Sequence, residues 1–271
     1  MSDAPAAPLP VVRTEVVDRI GIITMNRPER RNAVNGPLAS GLDAAVKQMA
    51  ADPDVKVVIL TGAAAEGKHG GFCSGGDIKD ASGPGMELGV PPKALEGDLS
   101  RHDGHAAMLL HVMPKPSIAM IGGPAVGAGF SLAGACDLRY ASDDAVLSAG
   151  FAPNGLSGDY GGTFFWTRIL GTAGARELYL LNDKLTAADA HARGMVHGVV
   201  PAAELREHTM AIARRIIRIS GAVLGLMKEN LNQAEDEPER RRFLFANETN
   251  NQVEGARRAR ARSTMTSQEA G

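Results

Sequence analysis

The chain has 271 residues, of which 44% are hydrophobic and 22% charged, with 32 glycines, the composition of a globular protein with apolar material for one large core or two small ones. Lys and Arg number 29 against 31 Asp and Glu, a formal net charge of -2, which gives no electrostatic basis for bulk nucleic-acid binding. The longest apolar runs, such as Val57–Leu60 and Ser117–Ile121, fall far short of the ~20 residues that cross a bilayer, so no membrane partner is expected.

Residues 1–10 carry Pro5, Pro8 and Pro10 but neither a basic nor an apolar leader region, so they read as a disordered tail rather than a secretory signal. Val11 to Val17 and Ile20 to Met25 are β-rich runs separated by Asp18 and Arg19, the pattern of a hairpin with a two-residue turn. Gly36-Pro37 then introduces Leu38, Leu42, Ala45, Val46 and Met49, whose spacing predicts an amphipathic helix with proline in its first turn. Val55 to Leu60 is a continuous apolar run closed by Thr61-Gly62, as expected of a strand buried on both faces.

The phrase recurs with a helical stretch within about 93 to 112, a buried strand from Pro116 to Ile121, a Gly-rich turn, and a small-residue helix from Ala128 to Ala135. Repeated strand-turn-helix units make the fold class α/β. Residues 80–98, with Gly83-Pro84-Gly85, Gly89 and Pro91-Pro92, are expected to form a mobile loop. Beyond Pro201 the pattern turns helical, with Leu205, Ile212, Ile216 and Ile219 on one face and Arg214, Arg215 and Arg218 largely on the other. The charged run from Glu235 to Arg242 reads as a solvated helix face, and the stretch with Arg257, Arg258, Arg260 and Arg262 as a disordered end. The division is thus a tail over 1–10, a core over 11–200, a helical region over 201–256 and an Arg-rich tail over 257–271.

Several motifs fail on inspection. Gly62 to Lys68 has the spacing of a phosphate-binding loop, but His69 stands where Ser or Thr should hold magnesium. Gly127-Ala128-Gly129 lacks the third glycine of a dinucleotide fingerprint, and Gly155 to Asp159 narrowly misses a nucleophile elbow. His102, His105 and His111 lie close together without a carboxylate to complete a ligand set, so no metal site is expected. Cys73 and Cys136 cannot make a disulfide framework and lack zinc-ligand spacing, which fits a reducing cytoplasm.

Two Gly-rich turns survive: Gly70 to Ile78, GGFCSGGDI, and Gly122 to Gly129, GGPAVGAG. Each exposes backbone N–H groups after a buried strand, and two such donors facing one another would make an oxyanion hole. With NRPERRNAVN, VVILTG, KPSIAMIGGPAVGAG, ACDLRYAS, GLSGDYGGT and AADAHARGMVHGVV in order, the chain resembles the crotonase superfamily, the enoyl-CoA hydratase/isomerase family, from Val11 to about Glu254. The resemblance implies a spiral of repeated ββα units packed by a C-terminal α-helical extension, usually assembled as a homotrimer or dimer of trimers. It implies an acyl-CoA thioester substrate and no cofactor, CoA entering as part of the substrate.

Carried over position by position, the resemblance makes the N–H groups of Gly76 and Ala128 the oxyanion donors. It places Ser74, Gly75, Asp77 and Ile78 along the thioester and pantetheine, and Lys79 near the CoA nucleotide. The two glutamates that manage water in family hydratases are matched here by Ser131 and Phe151, neither of which can act as a carboxylate base. Asp159 matches the aspartate that family isomerases use near the acyl chain, whereas spacing alone reads it as a helix cap. Phe151, Tyr160, Phe164 and Phe165 could line an acyl pocket or simply fill the core.

The resulting expectation is an acyl-CoA isomerase that shifts a double bond through an enolate, with Asp159 as acid and base. The alternatives are an enoyl-CoA hydratase working with Asp159 alone, an enzyme using Asp159 as a nucleophile on an aromatic or halogenated acyl group, and a non-catalytic acyl-CoA-binding protein.

Overall fold

A computed structural model describes residues 10–78, 80 and 105–235. The expected positions Lys79 and His102, most of the 80–98 loop, both tails and the run beyond Glu235 lie outside the described residues. The chain starts with strands β1 (Val12–Val17) and β2 (Ile20–Met25), paired antiparallel from Val12 opposite Met25 to Val17 opposite Ile20. Asp18 and Arg19 both take positive φ, 52° and 66°, which is the backbone a two-residue hairpin turn requires.

Helix α1 (Gly36–Ala51) buries the predicted stripe of Leu38, Leu42, Ala45, Val46 and Met49. The Asn35 side chain accepts the Leu38 N–H at 3.1 Å and so caps its first turn. Strand β3 (Val57–Gly62) is buried throughout. It begins two residues later than the apolar run suggests, because Val55 is still tied to the preceding turn by its N–H to Asp52 O. Helix α2 (Ala106–Val112) and strand β4 (Ser117–Ile121) follow.

The chain then alternates between two sheets: β5 (Ala125–Val126) leads into α3 (Ala128–Ala135), β6 (Leu138–Ser142) into β7 (Val146–Ser148) and then α4 (Gly162–Leu181). β8 (Leu185–Thr186), α5 (Ala187–Ala192) and β9 (Gly198–Val200) complete the core. The large sheet has the order β1-β2-β3-β4-β6-β9, parallel after its first pair. The small sheet has the order β5-β7-β8. The units β4-β5-α3 and β6-β7-α4 each place one strand in each sheet before the helix.

Both faces of the large sheet are covered, which explains why its strands read as unbroken apolar runs. Ile23, Met25, Val58 and Leu60 belong to the larger core with α1 to α4. Ile20, Ile22, Val57, Ile59, Ile118 and Met120 form the opposite core with Leu205, Met210 and Ala213 of α6 (Leu205–Ile216). Ile219 does not join that face: the helix stops at Ile216 and Ile219 is 40% exposed. Between α3 and α4, Trp166 stacks on Phe130 at 4.2 Å between ring centroids and donates its indole N–H to Phe130 O at 3.1 Å. Helix α7 (Gly221–Glu235) is pinned by buried Lys228, whose Nζ reaches Leu110 O at 2.7 Å and Asp137 at 2.8 Å. Among the described residues no helix is long and apolar enough to cross a membrane.

Candidate active site

The first Gly-rich turn leaves β3 and is sewn to the chain before α1 by main-chain bonds. The Ser74 N–H donates to Arg31 O at 3.1 Å, the Val34 N–H to Gly75 O at 2.8 Å and the Asp77 N–H to Val34 O at 2.8 Å. These bonds flank Gly76 without using its N–H, and Gly76 itself is exposed. Asp77 sits beneath the turn with its carboxylate 2.9 Å from Arg27 and 3.7 Å from Arg30. Its side chain is only 6% exposed, so it braces the turn. Half-buried Ser74 places its Oγ 3.5 Å from Arg30 O, Gly75 is buried, and Ile78 points outward at 66% exposure.

The second turn joins β5 to α3. Ala128 is the first residue of α3, where an N–H has no acceptor within the helix. The two turns meet through a parallel bridge between Cys73 and Ala125, in which the Cys73 N–H donates to Pro124 O and the Val126 N–H to Cys73 O, both at 3.0 Å. Their backbones come so close that a Cβ on Gly127 would lie 3.4 Å from the Gly75 Cα. Gly127 also has φ 55° with ψ -120°, a conformation that favours glycine. The two Gly-rich turns therefore meet at one junction, with Gly76 on one turn and Ala128 on the other.

The two positions that the resemblance matches to glutamates, Ser131 and Phe151, are both buried. Phe151 is buried, its ring edge 3.8 Å from where a Gly127 Cβ would stand, and it stacks on Tyr179 at 6.1 Å. Ser131 is wholly buried in α3. Its Oγ has no hydrogen-bond partner among the described residues and abuts the start of α4, where a Cβ on Gly162 would collide with it. Phe164 and Phe165 pack edge-on against buried His111, so these two rings are core, and His105 and His111 serve different neighbourhoods.

Asp159 lies in the turn that enters α4, among residues with Gly158 at φ 146°, Tyr160 at φ 50° and Gly161 at φ 71°. The cap position of α4 is Gly161 rather than Asp159, and Asp159 contributes its main-chain carbonyl to the Gly162 N–H at 3.0 Å. Its carboxylate acts on the first turn: burial pushes the Cys73 thiol up to about 12, and the Asp159 charge adds to the rise. The Tyr160 phenol is likewise pushed up, first by burial and then by Asp159, Asp43 and Cys73. Cys73 thus stays a neutral thiol beside the site, and Asp159 stands close to the junction of the two turns.

Two residues beside Tyr160, Asp43 and His105, have no catalytic role assigned from sequence. Asp43 on α1 accepts the Ala106 N–H at 2.7 Å, and burial raises its pKa against the lowering effect of His105. The His105 ring lies 5.4 Å from that of Tyr160. The available signal was an acid at Asp43, immediately after Leu42 and three residues before Val46 in the buried stripe of α1.

An enoyl-CoA hydratase/isomerase family model matches residues 15–267. The chain is 35% identical over 217 residues to the Escherichia coli protein named 1,2-epoxyphenylacetyl-CoA isomerase, covering 79% of this chain and 78% of that one. Among solved structures it resembles an enoyl-CoA hydratase from Mycobacterium avium subsp. paratuberculosis, with TM-score 0.75, 28% identity, and 92% and 99% of the two chains covered. It also resembles a monofunctional enoyl-CoA isomerase from Mycobacterium smegmatis, with TM-score 0.68, 28% identity, and 85% and 96% covered.

Proposed function

The chain belongs to the enoyl-CoA hydratase/isomerase family and is an enzyme of the crotonase type, and from that premise we propose that it shifts a double bond along an acyl-CoA chain. The observation that supports this reading is the junction of the two Gly-rich turns with Asp159 close to it, while Ser131 and Phe151 supply no carboxylate. The thioester oxygen accepts the N–H groups of Gly76 and Ala128, which stabilise the enolate as the substrate loses a proton next to the carbonyl or at the vinylogous carbon. Each such donor contributes about 2.7 to 4 kcal/mol in a water-poor site. Asp159 takes the proton and returns it to another carbon, so the double bond moves and no atoms are gained.

The reaction as proposed needs no resident cofactor, since CoA arrives with the substrate. Phe151 and the first turn at Ser74 and Gly75 flank the acyl thioester. The helical region beyond Pro201 is read as the surface of a homotrimer or dimer of trimers, and buried, unpaired Cys73 and Cys136 suit a cytoplasmic enzyme.

The test is a comparison of double-bond migration and hydration by the intact protein and its Asp159→Asn variant. We expect migration faster than water addition in the parent, and its loss in the variant with acyl-CoA binding retained. Hydration of crotonyl-CoA at ~1 to 10³ per second, a range usual for enzymes, would overturn the reading.

A further inference from the structure

Arg27 lies in the NRPERRN stretch just beyond β2 and takes no part in the proposed reaction, yet it is nearly wholly buried, at 9% exposure. Its main chain is tied down on both sides. The Arg27 N–H donates to Asn32 Oδ1 at 2.9 Å, and the Asn32 N–H donates to Arg27 O at 2.8 Å. The guanidinium then donates through Nη1 to Ala33 O and through Nη2 to Asp77 Oδ2, the latter at 2.9 Å. One flat cation thus joins the chain before α1 to the first Gly-rich turn, a two-pronged contact that suits arginine and not lysine. The other cation facing Asp77 among the described residues is Arg30, 3.7 Å away and 43% exposed.

From Ala33 the bonds run in series toward Gly76. Ala33 O and the Val34 N–H belong to one planar trans peptide group, so they point opposite ways. The Val34 N–H donates to Gly75 O at 2.8 Å, and Gly75 O shares its peptide group with the Gly76 N–H. That last N–H is therefore turned away from Val34, and its direction is set by a chain of two peptide groups whose head is Arg27. Linked hydrogen bonds also polarise one another, so a charged donor at the head strengthens the donor at the end.

We propose that Arg27 is the positioning residue of the Gly76 N–H, which it aims and strengthens through the peptide groups of Val34 and Gly76. This rests on the reading of Gly76 as a donor to the thioester oxygen. Arg27 itself touches no reacting atom; it governs how strongly the bound carbonyl is polarised.

The experiment records the infrared carbonyl band of butyryl-CoA, a saturated thioester with no double bond to shift, isotope-labelled at its carbonyl carbon and bound to the full chain. Hydrogen bonds to a carbonyl oxygen lower its stretching frequency, so with the parent the band should lie below that of the free thioester. Gly76→Pro should lose part of this shift. Arg27→Met should lose part of the same shift, and should change nothing further in the Gly76→Pro background, as for residues that act through one another. Double-bond migration by Arg27→Met should slow by about tenfold to a hundredfold, the cost of a group displaced by up to about 1 Å, without a matching rise in KM. The double variant Arg27→Met, Asp77→Asn leaves no buried carboxylate alone and lacks the same bond to Ala33 O, so it gives the same readings where Arg27→Met does not fold. A purely structural brace would lower stability and leave the band in place. A parental band in either folded variant therefore overturns the proposal, as does an undiminished further loss in the Gly76→Pro background. A parent band like that of the free thioester, or a parental band in Gly76→Pro, overturns the donor reading and the proposal with it.

Discussion

The role proposed for Gly76 rests on a single main-chain group, its N–H. The bonds that shape its turn belong to Val34, Ser74, Gly75 and Asp77, and among the described residues nothing stands within 4 Å of where a Gly76 Cβ would be. Gly76→Pro deletes an N–H that none of those bonds uses, so activity should fall by about 10² to 10³, the range for one lost oxyanion donor. Gly76→Ala keeps the N–H in open space and should lose far less. Steady-state rates of the two variants, with circular dichroism to confirm the fold, decide the matter, and near-parental turnover by Gly76→Pro would place the thioester elsewhere. At the two positions that the resemblance matches to glutamates, the sequence alone shows that Ser131 and Phe151 carry no carboxylate, because residue type decides that. It did not reveal that Asp43 and His105 approach Tyr160, since that meeting depends on how α1 and α2 pack on the turn before α4, and no local pattern encodes it.

At the scale of elements, legibility followed length. The stripe of α1, the runs of β2 to β4 and the small-residue helix α3 were readable because each extends over enough residues to show a period or an unbroken apolar run. β5, β7 and β8 have two or three residues each, too few for any period, and exist only because the neighbouring strand supplies their bonds. Helix α4 hides a second feature: Gly171 has φ 70° and ψ 169° within it, so a first segment that buries Phe164, Phe165 and Trp166 is joined at an angle to a second that buries Ala175 and Leu178. This backbone is open essentially to glycine alone, and a side chain there costs about 1 to 3 kcal/mol. Gly171→Ala should therefore lower the stability measured by denaturant titration by that amount, although a Cβ meets no atom within 4 Å. An unchanged midpoint would show that the two segments tolerate a straight helix.

For the molecule as a whole, α7 is anchored on its inner side by Lys228 yet turns Val223, Leu226, Met227 and Leu231 outward, at 46% to 64% exposure. Beside it runs an open groove that includes Val55, Met113, Pro114 and Leu226. An apolar face of this extent marks an interaction surface, and a closed symmetric assembly of identical chains is the common way to cover one. Light scattering should give three or six chains per particle, the assembly proposed above, and the double variant Leu226→Glu, Leu231→Glu should shift it toward monomer. A stable monomer of the parent at micromolar concentration would contradict the proposed trimer.

The stack of Trp166 on Phe130 has a consequence for watching the enzyme assemble itself. Trp166 is the one tryptophan of the chain, and its partner ring lies on the helix that presents the Ala128 donor, while Trp166 follows Asp159 into α4. Its emission is therefore an intrinsic optical signal for the moment when the segment that follows Asp159 docks on the helix that begins at Ala128, a step that no other indole obscures.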